Sequence, residues 1–124
     1  MNRDMDLIRA ILLKTEAGEE LEHSLLESHA ATPDIIAYQV ALMQDAGLVD
    51  ARVIGGHDDE PIDYRIFRLT WAGHDFLDAT KDSKIWKAAR EHVIKPGVSW
   101  TFSILVEWLK QQAHERVFGV PTNS

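Results

Sequence analysis

With no cysteine in the chain, the side chains able to do chemistry are its histidines, carboxylates and basic groups. The six histidines, His23, His29, His57, His74, His92 and His114, include no His-x3-His pair and no His-Glu-x-x-His. Those are the spacings that put two imidazoles on one helical face for a metal. His57-Asp58-Asp59-Glu60 gathers several possible ligands behind Gly55-Gly56. Flexible oxygen donors on a glycine-hinged tip read as a solvated turn, so neither a metal nor a cofactor is expected. His74 and Asp78 lie one helical turn apart, but no motif sets a serine or threonine nucleophile beside them. They read as a surface hydrogen bond, and the chain as non-catalytic.

The elements that would position these groups belong to a chain of 124 residues, with 13 Lys+Arg, 20 Asp+Glu and a formal charge of −7. That is the size of one domain, able to bury roughly two-thirds of the surface its unfolded form exposes. The longest apolar runs, such as 10–13 and 104–106, fall far short of the ~18 residues of a membrane span. No signal-peptide core follows the first basic residues, so a cytoplasmic protein without membrane contact is expected. The acidity is uneven. Residues 1–31 carry three basic and seven acidic groups, 32–47 none and two, and 48–70 three and five. Only 71–98, with five and four, is net positive, through Lys81, Lys84, Lys87, Arg90 and Lys95.

Leu7, Ile8, Ile11 and Leu12 recur at one-turn spacing and predict a helix over 3–17, capped by Asn2 or Asp4 and stopped by Gly18. Residues 21–30 fit two patterns. Leu21, His23 and Leu25 alternate as in a strand, while Leu21, Leu25 and Leu26 also suit a short helix; the alternation favours an extended segment. Thr32-Pro33-Asp34 places a hydroxyl at the N-cap, proline in the first turn and a carboxylate at the positive end of a helix over 33–46. Ile36, Val40 and Met43 form its core stripe, and Ala46-Gly47-Leu48 ends it.

The period then changes. Residues 48–54 and 64–70 are rich in β-branched and aromatic types and read as a hairpin with a long polar tip at 55–61. Thr70 caps a further helix with Trp71, Phe76, Leu77 and Thr80 on or near one face, and Trp71 and Trp86 are read as core residues. Asp82-Ser83 caps a successor over 84–94, burying Trp86, Ala89 and Val93, which Pro96-Gly97 ends. Ser99 would cap a last helix over 100–117, with Ile104, Leu105, Trp108, Leu109, Ala113 and Val117 as an apolar stripe.

Helix, connecting segment, well-capped helix, hairpin and further helix is the order of a winged helix-turn-helix, mostly α with a small β-hairpin wing. Added C-terminal helices follow. Residues 1–98 would form the winged-helix domain, and 99–124 a helix and tail of the same domain. The stretch from Ile36 to Leu48 resembles the end of the recognition helix in MarR- and ArsR-type regulators, and Leu69-Thr70-Trp71-Ala72-Gly73 resembles their Leu-Thr-x-x-Gly return from the wing. The opening Met1-Asn2-Arg3-Asp4-Met5-Asp6-Leu7-Ile8-Arg9, the Ala46-Gly47-Leu48 exit and the block Leu69-Thr70-Trp71-Ala72-Gly73-His74-Asp75-Phe76-Leu77-Asp78 further resemble a family of bacterial and prophage-encoded proteins classed as a domain of unknown function. The likeness covers roughly residues 1–120. The chain departs from that pattern at Gln39, where the family carries histidine.

In the recognition position, the residues expected to face away from the core are Asp34, Ala37, Tyr38, Gln39, Ala41 and Gln44. None is basic, although phosphate neutralisation dominates DNA affinity and arginine to guanine is the commonest specific contact. The tip, His57 to Glu60, has the wrong sign for phosphate, while Arg52, Arg65 and Arg68 on the wing strands favour it. Protein contact through the winged-helix scaffold is therefore expected ahead of DNA binding. Trp100 and Trp108, on a helix resembling the extra dimerisation helices of winged-helix regulators, mark a candidate homodimer surface.

Overall fold

In the computed structural model, which describes residues 2–21, 25, 28–95 and 100–118 apart from the side chains of 59 and 116–118, the chain enters its first helix at a cap supplied by sequence. Asp4 accepts the backbone N–H of Leu7 at 3.1 Å, and α1 runs Met5–Ala17 until Gly18 turns left-handed at φ 72°. Met5, Leu7, Ile8, Ile11 and Leu12 are buried on one side of it. Among residues 21–30, the described Leu21, Leu25, Ser28 and His29 are helical. The expected extended segment is thus corrected to the helical alternative. Leu25 is fully buried, and burial of a residue one helical turn from Leu21 outweighs a strand-like alternation that has no partner strand among the described residues.

Helix α2 spans Pro33–Asp45. Thr32 occupies its N-cap but makes no side-chain cap bond; its hydroxyl donates instead to the Asp34 carboxylate. The far end closes as the sequence predicts: the N–H of Gly47 donates to the carbonyl of Gln44 at 3.0 Å and that of Leu48 to Met43 at 2.9 Å. Gly47, at φ 77°, supplies the left-handed residue that this paired closure requires.

Strands β1, Val49–Gly55, and β2, Pro61–Leu69, pair antiparallel as a two-stranded hairpin. The second strand starts three residues before the expected 64, because proline, lacking a donor, is tolerated as the first residue of a strand. The tip shortens accordingly to a 3-10 turn at His57–Asp59, with Asp58 left-handed at φ 63° and Gly56 N–H bonded to the Glu60 carbonyl at 2.7 Å. Register shifts at Asp50/Ala51 and Ile54/Gly55 break the alternation; at the first, Phe67 is the extra residue between the pairs Ala51↔Ile66 and Asp50↔Arg68, which is why the consecutive Phe67 and Arg68 are both exposed.

One joint holds this unit together. The hairpin opens and closes on the pair Val49↔Leu69, and Thr70, just beyond it, donates its N–H to the Leu48 carbonyl at 3.0 Å and its hydroxyl to the Gly47 carbonyl at 2.6 Å. The same hydroxyl accepts the N–H of Gly73 at 3.0 Å, capping α3, Trp71–Thr80. Gly73 itself lies so close that a Cβ there would sit 2.0 Å from the Leu48 oxygen.

Residues Met1–Leu77 form one compact unit and Asp78–Ser124 a second. In the second, α4 spans Ser83–His92 and is capped by the Asp82 carboxylate, which accepts the N–H groups of Lys84 and Ile85. Trp86, Ala89 and Val93 are buried, as expected. Helix α5, Phe102–Phe118, packs against α4 and buries Leu105 and Leu109. Its start is set by the Thr101 hydroxyl, which accepts the Ile104 N–H at 3.2 Å. Trp100 therefore precedes the last helix instead of belonging to it. The expected stop at Pro96-Gly97, the Ser99 cap and the Val117 side chain lie outside the described residues. Among the described residues the fold is mostly α with one small β-hairpin, and no helix is long and apolar enough to cross a membrane.

Candidate interaction surface

At roughly 100° per residue, the side of α2 opposite Ile36, Val40 and Met43 presents Asp34, Tyr38, Ala41 and Asp45. The two carboxylates are exposed and Tyr38 and Ala41 half-buried. This stripe holds no cation. The Thr32 hydroxyl keeps the Asp34 carboxyl below the usual carboxylate range, with backbone N–H groups of Ile35 and Asp34 adding to the effect and desolvation opposing it. Because the folded value is the lower one, the stability this contact contributes is present above the ordinary aspartate pKa and is lost as pH falls through the lowered one.

Two of the residues expected on this surface are elsewhere. Ala37 is buried, and so is Gln39, at 1 % exposure. Gln39 stands three residues after Ile36 and four before Met43, on the flank of the core stripe. Its Oε1 accepts the Asp4 N–H at 3.0 Å and its Nε2 donates to the Asn2 carbonyl at 2.9 Å. The amide thus ties the chain entering α1 to the middle of α2. A buried amide is tolerated only when both its ends are bonded, and here both are. Gln44 is exposed but also engaged, donating from Nε2 to the Ala51 carbonyl on β1 at 2.9 Å.

The expected hairpin residues come together. Arg52 and Arg65 face each other across the strands, and Arg68 opposes Asp50 and pairs with it at 2.6 Å. All three arginines are exposed. The Arg65 guanidinium lies 5.5 Å from the Phe67 ring centroid, so the ring shares the arginine face, and Phe67 is 59 % exposed. His57 is exposed at the tip, away from this cluster in the sequence register. His74 takes Glu16 of α1 as its neighbour, 3.8 Å from Nδ1, and Asp78 pairs with Lys81.

The tryptophans divide differently from the sequence expectation. Trp86 is buried at 3 %, but Trp71, expected in the core, is 84 % exposed. The buried face of α3 runs through Gly73, Phe76, Leu77 and Thr80. Trp71 falls on the other side of the helix, because the contact at the joint is made by Gly73 and admits no large side chain. The spacing alone carried that signal. On α5, Trp108 is half-buried and Ile104, one turn before it, is 51 % exposed; Trp100 is half-buried.

Residues 2–99 match the model of the family described as "Hypothetical protein (DUF2513)". The chain belongs to this family. It is also similar to an uncharacterised protein of Haemophilus influenzae, 35 % identical over 92 residues that cover 73 % of this chain and 76 % of the relative. No solved structure matches it significantly.

Substitutions at Gln39 and Trp71 should behave oppositely to their residue types. Gln39→Met, close in volume, leaves the Asp4 N–H and Asn2 carbonyl unbonded and should cost about 1–3 kcal/mol in urea unfolding. Trp71→Ser should change stability by no more than about 0.5 kcal/mol. A neutral Gln39→Met or a strongly destabilised Trp71→Ser would contradict these placements.

Proposed function

We propose that this protein is a non-catalytic, cytoplasmic regulatory or interaction module that works by protein–protein contact through a winged-helix scaffold. The order of α1, the helical residues near Leu25, α2, the hairpin and α3 supports the scaffold. In it α2 holds the recognition position and the hairpin the wing. The observation that carries the protein-contact reading is the outward stripe of α2, where Asp34 and Asp45 are exposed, no cation is present and Gln44 is spent on the β1 backbone. Such a face repels phosphate and has no free amide aligned for a base edge.

DNA-binding transcriptional regulation is the second reading, favoured by exposed Arg52, Arg65 and Arg68 on the hairpin. One of these three is already neutralised by Asp50. A duplex titration across salt separates the readings, because the slope of log K against log salt is about −0.9 per phosphate neutralised. Protein contact predicts weak binding with a shallow slope. Tight binding with a steep negative slope would overturn it.

Self-association is a separate part of the proposal. Exposed Ile104 and half-buried Trp108, one turn apart on α5, offer an apolar strip for a second copy. Light scattering should give a dimer at micromolar concentration, reduced to monomer by Ile104→Glu. A wild-type monomer, or a dimer indifferent to that substitution, would remove α5 as the interface.

A further inference from the structure

The outer face of the hairpin combines like charges in register with exposed apolar groups. Arg52 and Arg65 are directly opposed, an arrangement that destabilises a strand pair. Among the described residues the Arg52 guanidinium has no partner, and that of Arg65 has only the Phe67 ring. Arg68 is held by Asp50 beside them. Phe67 and Ile54, at 59 % and 44 % exposure, add apolar surface to this basic patch on an otherwise acidic chain.

The strand edges are less open than this face. Gln44 donates to the Ala51 carbonyl on β1, and the Asp63 carboxylate accepts the Tyr64 N–H on β2 at 2.8 Å. A partner that added a strand would have to displace these bonds. A partner laid across the outer face would not.

We infer that the outer hairpin face binds a short acidic segment of a partner protein, in which carboxylates meet Arg52 and Arg65 and an adjacent apolar side chain packs on Phe67. The inference rests on the protein-contact reading and specifies its site and partner chemistry. Two uncompensated guanidiniums match isolated carboxylates, since arginine accepts a carboxylate through paired N–H donors and stays charged at all working pH. They do not match an extended polyanion. Duplex DNA places one charge about every 1.7 Å, and Asp58, Glu60 and Asp63 follow the arginine face toward the tip.

The test is an NMR titration of the isotope-labelled full chain with a synthetic peptide of alternating glutamate and leucine. A matched lysine-leucine peptide and single-stranded oligothymidylate are the comparisons. The acidic peptide should shift the amides of 52–54 and 63–68 and leave those of α2 in place. Arg52→Gln with Arg65→Gln should weaken binding by roughly tenfold or more. The double variant should unfold no more easily than the parent, which shows the loss to be one of recognition. Absent shifts, shifts confined to α2, an equal response to the lysine peptide, or tighter binding of oligothymidylate would each overturn the inference. If the acidic peptide fails and duplex DNA also binds weakly, only this site assignment falls. Steep, tight duplex binding would remove the protein-contact reading as well.

Discussion

The carbonyl groups of Gly47 and Leu48 are the fixed point of the first unit. Both emerge from the end of α2, and both are taken by Thr70, one through its hydroxyl and one through its backbone N–H. That hydroxyl also receives the N–H of Gly73, so a single side chain closes one helix exit, the base of the hairpin and the start of the next helix. The close approach of Gly73 to the Leu48 oxygen makes the arrangement intolerant of a side chain. From here the register Val49↔Leu69 follows, and with it which hairpin residues face outward. The arginine face and the exposure of Trp71 are consequences of the joint.

The same geometry separates charges that a count by composition mixes. The exposed stripe of α2 ends in carboxylates at Asp34 and Asp45, and the cations of the first unit's hairpin stand on a different element. Asp50 neutralises Arg68, which is exposed on both sides and adds little to stability. Its effect is to leave Arg52 and Arg65 as the unbalanced pair. A fold built to neutralise phosphate along α2 would invert this distribution, which is why the proposed contact is with protein, and why it is assigned to the hairpin.

Much of this was legible in the residues. The proline-led start and left-handed stop of α2, the two strands and the Leu69-Thr70-x-x-Gly73 step each have local causes that residue type announces: a fixed proline φ, a glycine at positive φ, β-branched alternation and the capping hydroxyl of Thr70. The Thr32 hydroxyl expected to cap α2 goes to Asp34 instead. The structure departs from the sequence pattern where residue type and position disagree. Gln39 is polar yet lies on the flank of the core stripe, and its burial depends on Asn2 and Asp4, more than thirty residues away. Trp71 is large and apolar yet lies opposite Phe76 and Leu77, because Gly73 occupies the contact. Near Leu25 a short alternation looked like a strand, and a strand needs a partner that no local pattern can guarantee. The arginine face was legible only as three residues on two strands. Its opposition of Arg52 to Arg65 depends on a register set by two bulges.

Replacing Gly73 by alanine tests the joint most directly, because helix propensity and close packing predict opposite signs. In an unconstrained helix the change would stabilise by roughly 0.5–1 kcal/mol. Against the Leu48 carbonyl the added methyl forces backbone apart, and urea unfolding should show a loss of about 2 kcal/mol or more. A Gly73→Ala protein as stable as the parent, or more stable, would contradict the close approach on which this account of the fold depends.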